Sequence, residues 1–245
     1  MGMIKHFAGR LANTVLHSIG CEVIKHSASV SWRSTFARIR GRRIEIQTVI
    51  DVGASDGRWS KTLMLFYPYA FYFLIEANQV HESKLKRFKK KHENVDYILA
   101  AAGDTVGEVY FDASDAAGGL ASHKPMNSDN MIKVAVVTVD TQVKQQNLTG
   151  PYLLKLDTHG FEVPIFEGAT ATLKETSIIV VEAYNFVLSE GSLRFHEMCL
   201  FLEEKGFRPL GLCNPMFRPK DGLLWQMDLI FARSDRKEFL SNAYN

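Results

Sequence analysis

The sequence predicts an α/β fold in which a mostly parallel central sheet is covered by helices on both faces. Short apolar runs rich in β-branched and aromatic residues alternate with longer segments of helical periodicity, which is typical of βα units. The apolar runs are almost continuous rather than alternating, as in strands that are buried on both faces. The 245 residues are enough for one sizeable domain of this kind.

The predicted elements follow one another in a regular order. The predicted strands are TVIDV (48–52), FYFLIEA (71–77), DYILAA (96–101), YLLKLD (152–157), SIIVVEA (177–183) and QMDLIFAR (226–233). The predicted helices cover residues 58–66, 79–91, 162–174 and 192–205. Gly206 follows the last helix, where a C-cap is expected. The carboxyl ends of parallel strands form the edge at which such sheets bind ligands.

One interval interrupts this order. EVYFDAS (108–114) and VAVVTVD (134–140) are predicted to be extra strands, inserted at about 108–140, on either side of the loop GGLASHKPMNSDN (118–130). A long loop at the carboxyl edge of a sheet often covers a ligand. His123 lies in this loop and is a candidate for contact with a substrate, although an exposed loop histidine is the simpler interpretation.

The chain is predicted to divide into an N-terminal helical extension (1–44), a ligand-binding domain (45–233) and a C-terminal tail (234–245). Residues 3–20 have apolar side chains at helical spacing and basic side chains off that stripe. Such a helix either docks on its own domain, pairs with a second copy of the chain in a homo-oligomer, or makes a weak peripheral contact with a membrane. The sequence alone leaves these alternatives open.

Composition and charge narrow the class of protein. The 46% hydrophobic and 23% charged residues are ordinary for a soluble globular protein. A net charge of +2 gives no reason to expect nucleic acid, and the basic run 84–92 has the spacing of a solvated helix face. Cys21, Cys199 and Cys213 form no CxxC pair, so we expect neither a zinc site nor a disulfide framework. With no long apolar run and no signal-peptide pattern, the expected location is the cytoplasm.

The stretch VIDVGASDG (49–57) is the first candidate ligand-binding turn. A glycine directly after a strand lets a ligand approach the backbone, and the following helix offers free N–H groups. A dinucleotide fingerprint requires G-x-G-x-x-G, but Ser55 stands in place of the second glycine. The D-x-G-x-x-x-G pattern instead suits a ligand with a ribose and an amino-acid tail but no pyrophosphate, such as S-adenosylmethionine. The predicted contacts are Asp51, Gly53, Ala54, Ser55 and Gly57.

Acidic residues follow the next two predicted strands. Glu76 ends the second strand, where a carboxylate can accept hydrogen bonds from both ribose hydroxyls. Asp104 follows the third strand and can accept a bond from an adenine amino group, while the small Ala101 leaves room for the ring. The structural alternatives are a helix cap or surface charge for Glu76 and a simple turn for Asp104. The glycine turn, Glu76 and Asp104 follow three consecutive predicted strands, and together they predict a cofactor site.

The sequence resembles the FkbM-type S-adenosylmethionine-dependent methyltransferases, a class I Rossmann-like group, over about residues 45–233. The matching segments are VIDVGASDG (49–57), FLIEAN (73–78), VTVDT (137–141), LLKLDTHGFEVPIFEGA (153–169), IIVVEA (178–183) and MDLIFAR (227–233). The most distinctive matches are Lys155, Asp157, Gly160 and Glu162. His159 departs from the Glu or Gln that is common before this glycine. The resemblance implies a three-layer Rossmann-like sandwich with an antiparallel last strand.

The resemblance also implies S-adenosylmethionine-dependent O-methylation of a sugar, glycolipid or related natural product, as in glycan biosynthesis. Asp157 is predicted to act as base or to hold the methionine tail, and its structural alternative is a helix N-cap. Histidine is the usual proton acceptor near neutral pH, which makes His159 the second catalytic candidate and an exposed loop residue its alternative. The candidate acceptor-binding residues are His123, Glu162, Glu182, Tyr184 and Arg218.

Two questions remain open at this point. Asp157 and Glu182 end neighbouring predicted strands, where two carboxylates can hold a magnesium ion, but no third acid is clearly in register, so no metal is predicted. The pattern of a strand, a glycine turn and a later acidic residue also fits an NAD(P)-dependent oxidoreductase or a catalytically inactive cofactor-binding module.

Overall fold

The computed structural model describes residues 29–115, 118–125 and 127–243. The predicted amphipathic helix at 3–20 lies outside these residues. Whether it contacts a membrane, a second copy of the chain or its own domain therefore stays a prediction. Among the helices that the structure describes, none has both the length and the apolar character needed to cross a bilayer.

The described elements alternate as predicted. The strands are β1 (Thr48–Val52), β2 (Phe71–Glu76), β3 (Val95–Leu99), β4 (Ala101–Ala102), β5 (Gly107–Asp112), β6 (Leu120–Ser122), β7 (Met131–Val137), β8 (Tyr152–Leu156), β9 (Thr176–Tyr184), β10 (Phe207–Phe217) and β11 (Leu224–Arg233). The helices are α1 (Trp32–Arg40), α2 (Arg58–Leu63), α3 (Glu82–Lys91), α4 (Val139–Gln145), α5 (Glu162–Glu167), α6 (Thr170–Lys174) and α7 (Phe195–Glu204). Short 3-10 turns cover Gln79–His81 and Lys237–Phe239.

Within the described ranges, a seven-stranded sheet forms the centre, in the order β10-β11-β9-β8-β1-β2-β3. The strands from β9 to β3 run parallel to one another, and β11 is antiparallel to both β9 and β10. The predicted fold class, with its antiparallel last strand, is confirmed. Because β1 pairs with β2 on one side and β8 on the other, their carboxyl ends meet at one edge.

The core lies on both faces of this sheet, as the continuous apolar strands predict. On one face, Phe36 and Ile39 of α1 are buried in a cluster with Val49 and Leu153 of the central strands. The helix begins at the N-cap Ser31, whose hydroxyl accepts a hydrogen bond from the backbone N–H of Ser34. α1 was predicted to belong to the N-terminal extension (1–44), but its apolar face shares the core of the sheet.

The predicted insertion forms a second sheet with the order β4-β7-β5-β6. It is anchored to the other face of the domain, because Phe111 and Val136 are buried in the same cluster as Ile50 and Phe73. β6 is a short strand within the loop that the sequence left without structure. The strand predicted at 134–140 ends at Val137, since the next residue caps α4.

Two further boundaries and one missed strand differ from the prediction for local physical reasons. The strand predicted at 96–101 is interrupted at Ala100, where the chain passes from one sheet to the other. The helix predicted at 162–174 breaks at Gly168, where a Cβ atom would lie 2.0 Å from the carbonyl oxygen of Gly103. β10 was missed because its sequence, FRPLGLCNPMF, contains glycine, proline and asparagine and lies at the sheet edge, where many of its side chains are exposed.

Candidate active site

A cavity opens at the carboxyl edge of the central sheet. It is lined by the turn after β1, the end of β2, the alanines at 100–102 and the segment that follows β8. Phe111, Gly119 and Ala121 of the insertion and Ile165 of α5 also line it. The structure thereby brings together six of the predicted site residues, namely Gly53, Ser55, Glu76, Ala101, Asp157 and His159. This is the part of an α/β sheet at which ligands bind.

The turn after β1 requires glycine at position 53. Gly53 has φ of 72°, and a Cβ atom on it would lie 2.0 Å from the carbonyl oxygen of Asp157. The turns after β1 and β8 are therefore in direct backbone contact. Ser55 also has a positive φ, of 50°, which is uncommon for a residue other than glycine and typical of strained functional turns.

Glu76 joins this turn to the end of β2. One carboxylate oxygen accepts a hydrogen bond of 2.6 Å from the Ser55 N–H, and the other accepts one of 2.7 Å from the Asn78 N–H. Glu76 is only 7% exposed, and burial raises the pKa of its carboxyl group although the two N–H bonds oppose this. The hydrogen bonds fix the carboxylate at the cavity wall.

Beneath the cavity, Lys155 forms a buried ion pair that local sequence does not reveal. Its ammonium lies 3.0 Å from Asp51 Oδ1 and 3.2 Å from Asp157 Oδ2, and donates to the Gly53 carbonyl oxygen at 3.1 Å. Burial disfavours the ammonium, but the two carboxylates outweigh it and raise the pKa of Lys155. Asp51, predicted to contact the cofactor, is fully buried and also accepts a 2.6 Å hydrogen bond from the Ser60 hydroxyl. It supports the turn from below and does not line the cavity.

At the other end of the cavity, Asp157 and His159 line the wall and form a cluster with Glu182. Neither Glu182 nor Tyr184 lines the cavity itself. His159 Nε2 lies 3.4 Å from Glu182 Oε2 and 3.6 Å from Asp157 Oδ1. The backbone of His159 has φ of 53°, and Gly160 follows with φ of 104°. This left-handed turn after β8 aims the imidazole at the two carboxyl groups.

The carboxyl groups of this cluster are held in different protonation states. Although burial opposes it, the Lys155 ammonium holds the pKa of Asp157 below its usual value. Burial and the Asp157 carboxylate raise the pKa of Glu182 to about 9. Glu182 accepts hydrogen bonds from the Tyr184 hydroxyl and from the side-chain amide of Gln226.

Gln226 and Asp228 on β11 were missed as site residues. Asp228 is directly opposite Glu182 in the antiparallel pairing of β11 with β9, and burial and Asp157 raise its pKa to about 7. The available signal was two polar residues, two positions apart, in an otherwise apolar strand. Because side chains alternate across a strand, both face the same side as Glu182.

Other predicted residues lie outside the cavity. Asp104 and His123 are exposed and flank a separate groove. The His123 ring lies 5.2 Å from that of Phe161, a residue of the cavity wall, between ring centroids. Ala54 is buried behind the turn. Gly57 ends the turn and packs against the Phe88 ring. A Cβ atom added at Gly57 would lie 2.7 Å from that ring.

Two predicted acceptor-binding residues instead have local structural partners. Glu162 is buried and accepts hydrogen bonds from the Gly160 N–H at 2.9 Å and the Thr158 hydroxyl at 3.1 Å, so it stabilises the turn after β8. Arg218 is ion-paired with Asp221 and stacks on Phe186, with 4.1 Å from the guanidinium to the ring centroid.

The model of the methyltransferase FkbM domain matches residues 51–209, which includes every strand end that forms the cavity. This agrees with the resemblance inferred from the sequence. A comparison with curated proteins found no match.

Several solved structures are similar. The chain resembles the methyltransferase FkbM from Methylobacillus flagellatus at 13% identity and a TM-score of 0.49, over 75% of this chain and 43% of that one. It also resembles precorrin-6y C5,15-methyltransferase from Geobacter metallireducens at 13% identity and a TM-score of 0.45, over 84% of this chain and 90% of that one. A third is 1,6-didemethyltoxoflavin-N1-methyltransferase from Burkholderia thailandensis at 12% identity and a TM-score of 0.46, over 85% of this chain and 80% of that one. The chain thus spans less than half of the first protein, and likenesses at this level carry no functional argument.

Proposed function

The chain belongs to the methyltransferase FkbM family, and from this we propose that it transfers a methyl group from S-adenosylmethionine to a hydroxyl oxygen. The observation that carries the proposal is the meeting of Glu76 with Asp157 and His159 in one cavity. A carboxylate at the end of β2 suits a ribose, and the two residues after β8 suit proton removal. Family membership also supports methyl transfer over hydride transfer by a nicotinamide cofactor.

The residues of the cavity fit this cofactor. The absence of a side chain at Gly53 leaves the backbone of the turn open, and the alanines at 100–102 leave room for a flat ring. Each oxygen of Glu76 accepts one backbone N–H and has a second lone pair for a ribose hydroxyl. When bound, S-adenosylmethionine supplies a methyl carbon that the acceptor oxygen attacks as the carbon–sulfur bond breaks.

Proton removal is assigned to the residues after β8. Lys155 keeps Asp157 ionised beside the cavity, and His159 Nε2 faces the same space. A positioned base typically accelerates such a step by about 10²–10⁴-fold. Holding the acceptor in line contributes further, because it replaces a collision between separate molecules.

The acceptor is proposed to be a sugar, a glycolipid or a related natural product. Aromatic rings adjoin the cluster: Tyr184 lies 6.2 Å from His159 and 5.7 Å from Trp225 between ring centroids. A sugar ring presents apolar faces and hydroxyl edges, which aromatic rings and carboxylates complement respectively. These contacts support a hydroxyl-bearing acceptor.

Calorimetric titration with S-adenosylhomocysteine tests the proposal. Glu76→Ala is expected to weaken binding by at least about tenfold, since hydrogen bonds to a charged group contribute about 1.5–3 kcal/mol each. Because Glu76 also bonds two backbone N–H groups, circular dichroism must confirm that the variant is folded. Glu190→Ala, at a side chain that is 84% exposed, is the matched control. A folded wild-type protein that does not bind millimolar S-adenosylhomocysteine would overturn the proposal.

A further inference from the structure

Three lone-pair donors converge in the cluster after β8. His159 Nδ1 lies 3.3 Å from the carbonyl oxygen of Gly119, which can only accept a hydrogen bond. A hydrogen on Nδ1 makes this contact a hydrogen bond, and in that tautomer of the neutral imidazole Nε2 presents a lone pair. This lone pair points toward Glu182 Oε2 at 3.4 Å and Asp157 Oδ1 at 3.6 Å. Three such atoms repel one another unless a proton or a metal ion lies between them.

The separations match those of ligands that share a small metal ion. Metal–nitrogen and metal–oxygen bonds of about 2.0–2.2 Å at tetrahedral angles place ligand atoms about 3.3–3.6 Å apart. His159 Nε2 is at these distances from both carboxyl oxygens, and one ligand atom from each of the three residues lies within 4.8 Å of the others. The same distances are long for a direct N–H···O hydrogen bond.

The surrounding charge also favours a cation. The carboxyl groups of Asp51, Asp157, Glu182 and Asp228 are buried or half-buried at these strand ends. Among the described residues, the permanent cation that contacts this group is Lys155, which is shared between Asp51 and Asp157. Glu182 and Asp228 are left without a cationic partner that is charged at all pH values. Buried carboxylates are costly to ionise unless a positive charge compensates them.

The second layer of contacts is the kind that orients metal ligands. Ligating histidines usually donate their other ring N–H to a carbonyl or carboxylate, as His159 does to Gly119. Ligating carboxylates are themselves hydrogen-bonded, as Glu182 is by Tyr184 and Gln226. Both contacts are made by groups outside the cluster and hold the donor atoms in place.

We propose that Asp157, His159 and Glu182 form a binding site for a divalent transition-metal ion, such as Mn²⁺, Zn²⁺ or Fe²⁺. An imidazole with two carboxylates suits these ions better than Mg²⁺ or Ca²⁺, which prefer oxygen ligands. The sequence predicted no metal because no third acid was clearly in register with Asp157 and Glu182, and the third ligand proposed here is a histidine, His159. The catalytic role of the ion rests on the proposed function and changes one part of it: with the ion bound, Asp157 and His159 are ligands and not bases. Beside an acceptor hydroxyl the ion lowers the pKa of that group, and the released proton passes to water.

Metal binding can be measured without cofactor or acceptor. The full chain is dialysed against EDTA, freed of chelator, and titrated with Mn²⁺ by electron paramagnetic resonance and with Zn²⁺ by calorimetry. We expect one ion per chain, and we expect His159→Asn and Glu182→Gln each to weaken binding by at least about tenfold. Asparagine is chosen because it tolerates the positive φ at position 159. His123→Asn, at an exposed histidine outside the cluster, is the matched control and should bind like the wild type.

The outcomes separate the metal from the methyl transfer. A folded chain that binds neither ion at millimolar concentration overturns the inference. So does binding that is unchanged in both His159→Asn and Glu182→Gln, because the ion then lies elsewhere. Parallel titration with S-adenosylhomocysteine reports on the proposed function. Cofactor binding without metal binding refutes only the proposed metal site. Metal binding without cofactor binding refutes only the proposed methyl transfer from S-adenosylmethionine.

Discussion

The two ends of the cavity differ in how their polar groups are satisfied. At the Glu76 end, each carboxylate oxygen accepts a backbone N–H, and the turn that donates one of them is fixed by Gly53. At the Asp157 end, Asp157, Glu182 and Asp228 lie close together, and Lys155 contacts only the first of these.

This contrast shows how one edge of a sheet can perform two tasks. Backbone N–H groups and a fixed turn make a rigid wall, which costs little reorganisation when a ligand binds. Carboxyl groups that lack a cationic partner can instead bind a proton, a metal ion or the hydroxyl group of a ligand. We infer that the first end holds the methyl donor and the second end handles the proton of the acceptor.

The largest effect is expected at Gly53, where the turn after β1 contacts the turn after β8. Gly53→Ala would place Cβ against the carbonyl oxygen of Asp157 at a residue with positive φ, so β1 and β8 must move apart. We expect the free energy of unfolding to fall by more than about 4 kcal/mol, and S-adenosylhomocysteine binding to be lost. Urea unfolding followed by circular dichroism measures the first effect.

Gly107→Ala is the control for this prediction. It has no atom within 4 Å of the added Cβ and no positive φ, so its stability should stay within about 0.5 kcal/mol of the wild type. If Gly53→Ala is equally mild, the turns after β1 and β8 are not in the direct contact described.

A smaller, pH-dependent effect is expected at the charged end. Burial and Asp157 raise the pKa of Glu182 from its ordinary 4.5 to about 9. Between these values the folded chain holds a proton that the unfolded chain has lost, so the free energy of unfolding decreases as the pH rises. In the presence of EDTA, we expect wild type to lose about 2 kcal/mol or more relative to Glu182→Gln between about pH 5 and pH 9.

Urea unfolding of both proteins across this range gives the difference directly. Parallel curves for wild type and Glu182→Gln would show that Glu182 is already ionised near neutral pH. Repeating the series with Mn²⁺ sharpens the test, because an ion that replaces the proton should remove the difference in slope.

The smallest effect is expected at Asp104, which the sequence places at the adenine. The structure leaves this side chain exposed and outside the cavity. Asp104→Asn should therefore change the affinity for S-adenosylhomocysteine by less than about twofold, or about 0.4 kcal/mol. A tenfold loss in the calorimetric titration would mean that the cofactor extends beyond the cavity described.

The position of Asp104 outside the cavity has a physical cause. A doubly wound sheet would return the chain to a helix after the third strand, with an acid left at the ligand edge. Here the chain leaves β3 at Leu99 and enters the second sheet through Ala101 and Ala102, which pair with β7. The insertion therefore carries Asp104 away from the cavity, and only long-range strand pairing reveals this.

Glu182 and Asp228 also show what the sequence alone does not reveal, in this case a residue that belongs near the site and was not predicted. The sequence predicted that Asp157 and Glu182 end neighbouring strands, since parallel order follows from the βα alternation. It did not predict the third acid, because Asp228 meets Glu182 through the register of β11 against β9. That register depends on a hairpin whose first strand, β10, was not recognised.

The sequence by itself determined the order of the helices and strands, the glycine turn after β1 and the family. These depend on residue patterns within a few positions of one another, which local backbone preferences and hydrophobic periodicity control. Only the tertiary structure decided that Lys155 compensates Asp51 and Asp157, and that His159 faces Glu182. Those contacts depend on strand register and on the left-handed backbone of one residue, and no short sequence window contains that information.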